Sequence, residues 1–183
     1  MFDHGGIRIR VVEKRDLEAM RALRNDPSTW VNLTDIHLIT EPMQERWFAK
    51  ISEAANLRYF AVSDDAHDFI GIVRCDEIDT TNRSIRIGCD IVPELRRQKY
   101  GSRVYDLMLK YCFDFLNMHR VWLLVVDTNT AGIRLYTGKG FREEGRLREA
   151  LFRNGSYRDY LVLSILEPEY RALSQGSAGP RHG

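Results

Sequence analysis

Apolar positions recur along this 183-residue chain in two rhythms, every second residue and every third or fourth, and the switches between them divide it into elements. Ile7-Arg8-Ile9-Arg10-Val11-Val12 alternates apolar with charged residues and reads as a first strand. Asp16 follows as a helix N-cap. Leu17, Met20 and Leu23, with Trp30 beyond, fall at helical intervals, and Asn25-Asp26-Pro27 supplies a stop. Thr40-Glu41-Pro42 opens a second helix with proline in its first turn, and Met43, Trp47, Phe48 and Ile51 form its apolar stripe. Arg58 to Val62 is a strand, Ser63 to Asp68 a hairpin turn, and Phe69 to Cys75 the returning strand. Asp79-Thr80-Thr81-Asn82 turns again into a third strand, Ser84 to Val92, which ends at Pro93.

The second half opens with Ser102 to Leu116, amphipathic at helical spacing through Val104, Leu107, Met108, Tyr111, Cys112 and Phe115. Val121 to Val126 is a continuous apolar run, the pattern of a strand buried on both faces. A short helix, Ala131 to Thr137, leads to Gly140-Phe141. The last strands surround Leu151-Phe152 and Tyr160 to Ile165 and are joined by the turn Arg153-Asn154-Gly155-Ser156. From Ser174 the small, polar tail is expected to be disordered. With no repeat and no linker, the chain reads as one domain over residues 1–173 followed by a tail, 174–183. The element order predicts a mixed α/β (α+β) layer fold with helices covering a largely antiparallel sheet.

Composition narrows the function classes. Hydrophobic residues make up 44% of the chain and charged ones 29%, ordinary globular values. The net charge of +1 removes the broad attraction that non-specific nucleic-acid binding needs. Cys75, Cys89 and Cys112 are odd in number and contain no CxxC pair, which argues against a disulfide framework or a metal site and for reduced thiols. Met1 to Gly6 lacks the cationic and apolar tandem of a signal peptide, and no apolar run approaches the ~20 residues of a membrane span. The expectation is a soluble cytoplasmic protein with no nucleic-acid or membrane partner and no metal.

Chemistry concentrates between Ile91 and Gly101. A strand ends at Pro93, a basic loop follows, and a helix begins near Gly101-Ser102. A helix N-terminus presents free N–H groups and the positive end of the dipole, which suits a phosphate. Arg96, Arg97 and Lys99 add formal charge, and Gly101 allows close backbone approach. On these residues alone, a pyrophosphate cradle and an ordinary strand-to-helix turn with solvated cations stand about level.

Pro93-Glu94-Leu95-Arg96-Arg97-Gln98-Lys99-Tyr100-Gly101 resembles the acetyl-CoA signature of the GNAT N-acetyltransferase superfamily, Arg/Gln-x-x-Gly-x-Gly/Ala, with Arg96 leading and Gly101 last. Lys99 stands where that family usually has its first glycine; its side chain must point away from the pyrophosphate or set its ammonium beside it. A second block, Asn129 to Phe141, is similar to the family's Asn-x-x-Ala-x-x-Leu-Tyr-x-x-x-Gly-Phe, with Gly132 in place of alanine. The resemblance runs over about residues 7 to 166. It implies the GNAT fold, a central, mostly antiparallel sheet of six to seven strands flanked by about four helices, and acetyl-CoA as cosubstrate.

The resemblance also implies roles. An amine attacks the thioester directly, with no acyl-enzyme. Tyr136 matches the general-acid tyrosine; a phenol of pKa ~10 is protonated at neutral pH and can donate to the departing sulfur. The alternative is a tyrosine that packs under the cofactor. Asn129 would hydrogen-bond the cofactor arm, and backbone groups of Ile91 and Val92 would hold pantetheine where two strands splay. Arg96, Arg97, Lys99, Gly101 and Ser102 would hold the pyrophosphate, and a nearby amide would polarise the thioester oxygen. Some relatives carry a glutamate near the middle of the strand where Arg86 stands here, which leaves Asp76, Glu77, Asp90 or a water chain as the base. Cys89 has no histidine placed beside it and reads as a small buried residue.

The resemblance implies a primary amine as acceptor. Glu144 to Ala150 and Asn154 to Asp159 resemble the branch of ribosomal-protein N-terminal and spermidine acetyltransferases. Leu23 to Pro27 and Gln44 to Phe48 are more like relatives that acetylate nucleotide-linked amino sugars. Trp30, Trp47 and Phe48 fall on helices that usually wall the acceptor site, where they either stack on a ligand or pack as helix core. Trp30, Trp47, Asp76 and Glu77 are the substrate-side candidates. A small-molecule amine such as an amino sugar is the first expectation, and a protein N-terminus or a polyamine the alternative. Asp35, Glu41, Glu45 and Glu53 are the acids a polyamine would use. Loss of catalysis, leaving an acyl-CoA sensor, is the reading from another class. Many relatives dimerise, which adds a homodimer to the expected partners.

Overall fold

A computed structural model describes residues 1–176. Its strands are β1 (Phe2–His4), β2 (Ile7–Val11), β3 (Arg58–Ser63), β4 (Gly71–Asp79), β5 (Ser84–Ile91), β6 (Arg120–Val126), β7 (Arg142–Arg153) and β8 (Ser156–Leu166). They form a single sheet in the order β1-β2-β3-β4-β5-β6-β8-β7. The α-helices are α1 (Leu17–Asn25), α2 (Pro27–Trp30), α3 (Glu41–Glu53), α4 (Tyr100–Lys110), α5 (Thr130–Gly138) and α6 (Glu167–Gly176). The mixed α/β class is as expected, with more elements than the six to seven strands and four helices foreseen.

The extra elements have local causes. β1 folds back on β2 across Gly5-Gly6, both at positive φ (61° and 73°), the requirement of a tight hairpin turn. Trp30 lies outside the first helix, because the Asp26 carboxylate accepts from the Thr29 N–H (3.1 Å) and restarts the chain as the one-turn α2. Of the tail expected to be disordered from Ser174, residues 174–176 close α6; residues 177–183 lie outside the described residues.

Every ladder is antiparallel except β5–β6. That parallel pair joins Ser84 to Arg120, Ile85 to Val121 and Arg86 to Trp122, and there it stops. Beyond Arg86, β5 stays with β4 as far as Ile91–Gly71, while β6 stays with β8 as far as Val126–Tyr160. The two strands therefore part, and a wedge opens between their C-terminal ends.

The pleat divides the side chains between two faces. On one face, Val73, Cys75, Ile85, Ile87, Val121, Leu123, Val125, Leu161 and Leu163 join Val104, Leu107 and Met108 of α4 in the main core. The other face carries Ile72, Arg74 and Asp76 of β4, Arg86 and Asp90 of β5, and Leu124 of β6, beneath α1 and α3. Val121 to Val126 is thus not buried on both faces, contrary to the pattern. Trp122 is half-buried, with the guanidiniums of Arg86 and Arg120 at 5.4 and 5.5 Å from its ring.

A buried ion pair fixes the first helix to the sheet. Arg10 of β2 grips Asp16 with both terminal nitrogens (2.7 Å each), and the Glu13 N–H donates to the same carboxylate (2.8 Å). Burial alone would raise the Asp16 carboxyl, but these bonds outweigh it and hold the pKa below the ordinary value.

Candidate active site

The cofactor side is built where β5 hands over to α4. Lys99 is the N-cap residue of α4, with left-handed backbone (φ 66°), and Arg97 is left-handed as well (φ 62°). Left-handed geometry suits glycine best, which is the physical reason for a glycine in the signature at the Lys99 position. Both side chains are exposed, so the cationic ends of Arg97 and Lys99 are free to reach an anion. No side chain caps the helix, and the first-turn amides of Tyr100, Gly101 and Ser102 lack intrahelical acceptors. An uncapped, cation-flanked N-terminus at the mouth of a strand wedge fits a diphosphate continuing into a pantetheine arm.

Arg96 does something else. Its Nε donates to the Ile91 carbonyl (2.9 Å), and its terminal nitrogens donate to Ser28 Oγ (2.6 Å) and Thr29 Oγ1. The guanidinium expected at the pyrophosphate instead ties the end of β5 to α2. Val92 is also corrected: its N–H is spent on the Ile70 carbonyl (2.9 Å), which directs even-numbered backbone groups of β5 towards β4. By the same alternation the backbone of Ile87, Cys89 and Ile91 faces the wedge. With the Ile91 carbonyl taken by Arg96, the Ile91 N–H is the group left for pantetheine.

Asn129 caps α5, its Oδ1 accepting from the Gly132 N–H (2.9 Å), which leaves Nδ2 as the donor for a cofactor arm. A Cβ at Gly132 would approach that Nδ2 to 2.8 Å, so with Asn129 in this rotamer glycine, rather than the alanine of the family block, keeps the cap relaxed.

Tyr136 projects from α5 against Tyr105 of α4 and Phe141, with ring centroids at 5.0 and 6.1 Å. Burial pushes its phenol up to about 12, and Cys89 and Asp90 add to the rise. The hydroxyl is therefore fully protonated at neutral pH and can only give a proton, not take one. The dry surroundings that raise the phenol also raise a thiolate's proton affinity, which keeps donation feasible. Burial likewise pushes the Cys89 thiol far up, so it stays protonated and is no nucleophile.

On the opposite face lies a cavity of about 720 Å³, floored by Ile72, Arg74, Arg86 and Asp90, with Tyr59 and Trp47 at one wall. Asp76 and Glu77 line it, but both are engaged. Arg86 bonds Asp76 twice (2.6 and 3.0 Å) and reaches Glu77 (3.1 Å), and Arg74 also pairs with Asp76 (2.9 Å). Trp47 stands edge-on to Tyr59 (centroids 4.8 Å). Trp30 and Phe48 do not line the cavity. Of the acids Asp35, Glu41, Glu45 and Glu53, only Asp35 does.

Sequence reading missed Arg24, Arg74, Tyr59 and Tyr160 at this site. The signal was available in the period-two alternation of Ile72, Arg74, Asp76 and of Arg86, Gly88, Asp90, which puts both sets on one face. Gly88 has a packing reason: a Cβ there would meet Arg74 Nη2 at 2.9 Å, so the glycine lets the guanidinium lie across β5.

Residues 7–142 match the acetyltransferase (GNAT) domain family. The chain belongs to the GNAT acetyltransferases. Among its relatives is the spermidine N(1)-acetyltransferase of Vibrio cholerae serotype O1, 31% identical, with 91% of this chain and 96% of the relative covered. A crystal structure of spermidine N-acetyltransferase from Vibrio cholerae in complex with CoA and spermine superposes with a TM-score of 0.87 at 28% identity, covering 92% and 99% of the two chains. A dodecameric structure of the Vibrio cholerae enzyme gives 0.80 at 29% identity, covering 93% and 99%. This GNAT protein is thus an acetyl-CoA-dependent N-acetyltransferase.

Proposed function

We propose that the chain moves the acetyl group of acetyl-CoA to a primary amine of the polyamine class, with the acceptor held in the cavity under α1 and α3. The supporting observation is the 31% identity, over nearly the whole length, to a spermidine acetyltransferase. The cavity's charge agrees with it: four carboxylates (Asp35, Asp76, Glu77, Asp90) face three guanidiniums (Arg24, Arg74, Arg86). The spermidine acetyltransferases among the relatives support the polyamine alternative over the amino-sugar acceptor expected first. A protein N-terminus ranks below the polyamine, since the relative at 31% identity is by its name a spermidine acetyltransferase.

In this reading, bound acetyl-CoA supplies an activated acetyl carbonyl at the wedge. Tyr100, Gly101 and Ser102 amides hold the diphosphate, aided by Arg97 and Lys99; the Ile91 N–H and Asn129 Nδ2 fix the arm. Tyr136 donates its phenolic proton to the departing sulfur. Trp47 and Tyr59 close one wall of the amine's cavity.

A second reading is favoured by Arg24 and Arg74: an amine that also bears a carboxylate, which those guanidiniums would receive. Release of CoA thiol with spermidine, butylamine or glycine as acceptor separates the two. Fastest turnover with spermidine supports the first reading, and fastest turnover with glycine the second. No turnover, with CoA bound tightly, would leave a sensor. Self-association is proposed from the dodecameric relative and is tested by light scattering of the purified chain.

A further inference from the structure

We infer that Asp90 is the catalytic residue on the acceptor side, taking the proton from the amine's ammonium before attack. This rests on the acetyl-transfer reading above and adds the base that the Arg86 substitution removes.

Geometry selects Asp90 by elimination and by position. Asp76 is held by Arg86 and Arg74, and Glu77 by Arg86. Asp35 is paired with Arg24 (3.6 Å) and His37 and is half exposed. Among the described residues, Asp90 alone of the cavity's four acids makes no hydrogen bond and no ion pair. It is the penultimate residue of β5, opposite Ile72, on the strand edge where β5 and β6 have parted. Its side chain faces the cavity, while the backbone of its neighbours Cys89 and Ile91 faces the wedge. It is also close enough to Tyr136 and Tyr105, on the other side of the wedge, for its charge to raise both phenols. A proton acceptor and a proton donor thus flank one opening from opposite faces of the sheet, the disposition that direct amine attack requires.

Electrostatics agree. Burial raises the Asp90 carboxyl, while Arg74 from β4, Arg24 from α1 and Arg96 from the loop before α4 oppose the rise without touching it. The remaining titratable neighbours are Tyr136, Tyr105 and Cys89, all held neutral by burial. A carboxylate lifted above its ordinary range is a better proton acceptor than one on the surface.

The ammonium nitrogen passes one proton to Asp90, and its lone pair forms the C–N bond at the acetyl carbonyl. The C–S bond breaks with its electron pair on sulfur, which takes the Tyr136 proton. The nitrogen's second proton restores Tyr136 through solvent, and Asp90 sheds its proton to water.

The test is Asp90→Asn, assayed with the fastest amine of the spermidine, butylamine and glycine panel. kcat/KM at pH 7 should fall by about 10²-fold or more, with CoA affinity by calorimetry within about twofold of wild type. The residual activity should climb with pH towards the amine's own pKa, whereas that of wild type is expected to level off at lower pH. Should the variant fold poorly, 13C-carboxyl NMR of the wild-type CoA complex reads the same question. The Asp90 resonance should titrate above ordinary aspartates and shift when the amine is added. A variant within threefold of wild type, or an Asp90 resonance indifferent to the amine, overturns the inference. Wild-type protein that releases no CoA with any amine fails the acetyl-transfer reading itself and takes this inference with it.

Discussion

The two faces of the sheet solve different problems with different materials. On the α4 side the site is made of backbone: uncapped amides of a helix N-terminus and the edge of a strand that has lost its partner, set against a core of Val104, Leu107, Met108, Ile85 and Leu123. On the α3 side it is made of side chains, with three arginines and four acids around a cavity, under a helix that buries only Gln44. Backbone recognition suits a cosubstrate common to the family, because almost any sequence that makes the turn will serve. Side-chain recognition suits an acceptor that differs between enzymes, because one substitution on the alternating face of a strand changes the charge presented. Arg86 illustrates this, since it stands where some relatives have a glutamate and recruits Asp76 and Glu77 to itself.

The largest predicted effect is at the donor between the faces. Tyr136→Phe should lower kcat by about 10²-fold or more while CoA affinity stays within about twofold, read by thiol release and calorimetry. Equal losses in both would make Tyr136 a packing residue and erase the functional difference between the faces. A smaller effect is expected on the acceptor face. Arg74→Gln should improve kcat/KM for spermidine by several-fold and depress it for glycine, since removing one of the three guanidiniums around the cavity, which also frees Asp76 of one of its two partners, is worth on the order of 1 kcal/mol at a partly solvated site. CoA binding should not change. The smallest effect tests the backbone side. Lys99→Gly removes a left-handed non-glycine residue, a strain of about 1 kcal/mol, so the melting temperature should rise by about 2–4 °C. CoA affinity should weaken by a few-fold at low salt and converge on wild type at high salt, because only a screened charge was lost.

The legibility of the sequence follows the same division. From Pro93 to Gly101 the local signals give a strand end, a turn and a helix start, while the phosphate cradle and the splayed strands came only from the resemblance carried by that stretch and by Asn129 to Phe141. The strands β3 and β5 follow from periodicity within a residue, whereas β4 runs four residues past its expected end at Cys75, and α4 closes at Lys110 with a π-helical turn, Tyr111–Phe115, completing the expected stretch. Arg96 was misread because local sequence does not reveal that Ser28 and Thr29, in a one-turn helix far away in the chain, would claim its guanidinium. Val121 to Val126 looked doubly buried because an apolar run does not say that cations will cover Trp122 on the exposed face. The cavity was invisible for a similar reason. Its residues come from α1, α3, the loops beside them and five strands, and their convergence depends on the order of the sheet.

Hydrogen exchange on adding CoA asks most directly whether the diphosphate sits on the α4 N-terminus and the arm enters the parted strands. Peptides covering Tyr100 to Ser102 and Ile87 to Ile91 should slow markedly, while α3 (Glu41–Glu53) exchanges as before. Protection of α3 with none at the α4 N-terminus would contradict the account.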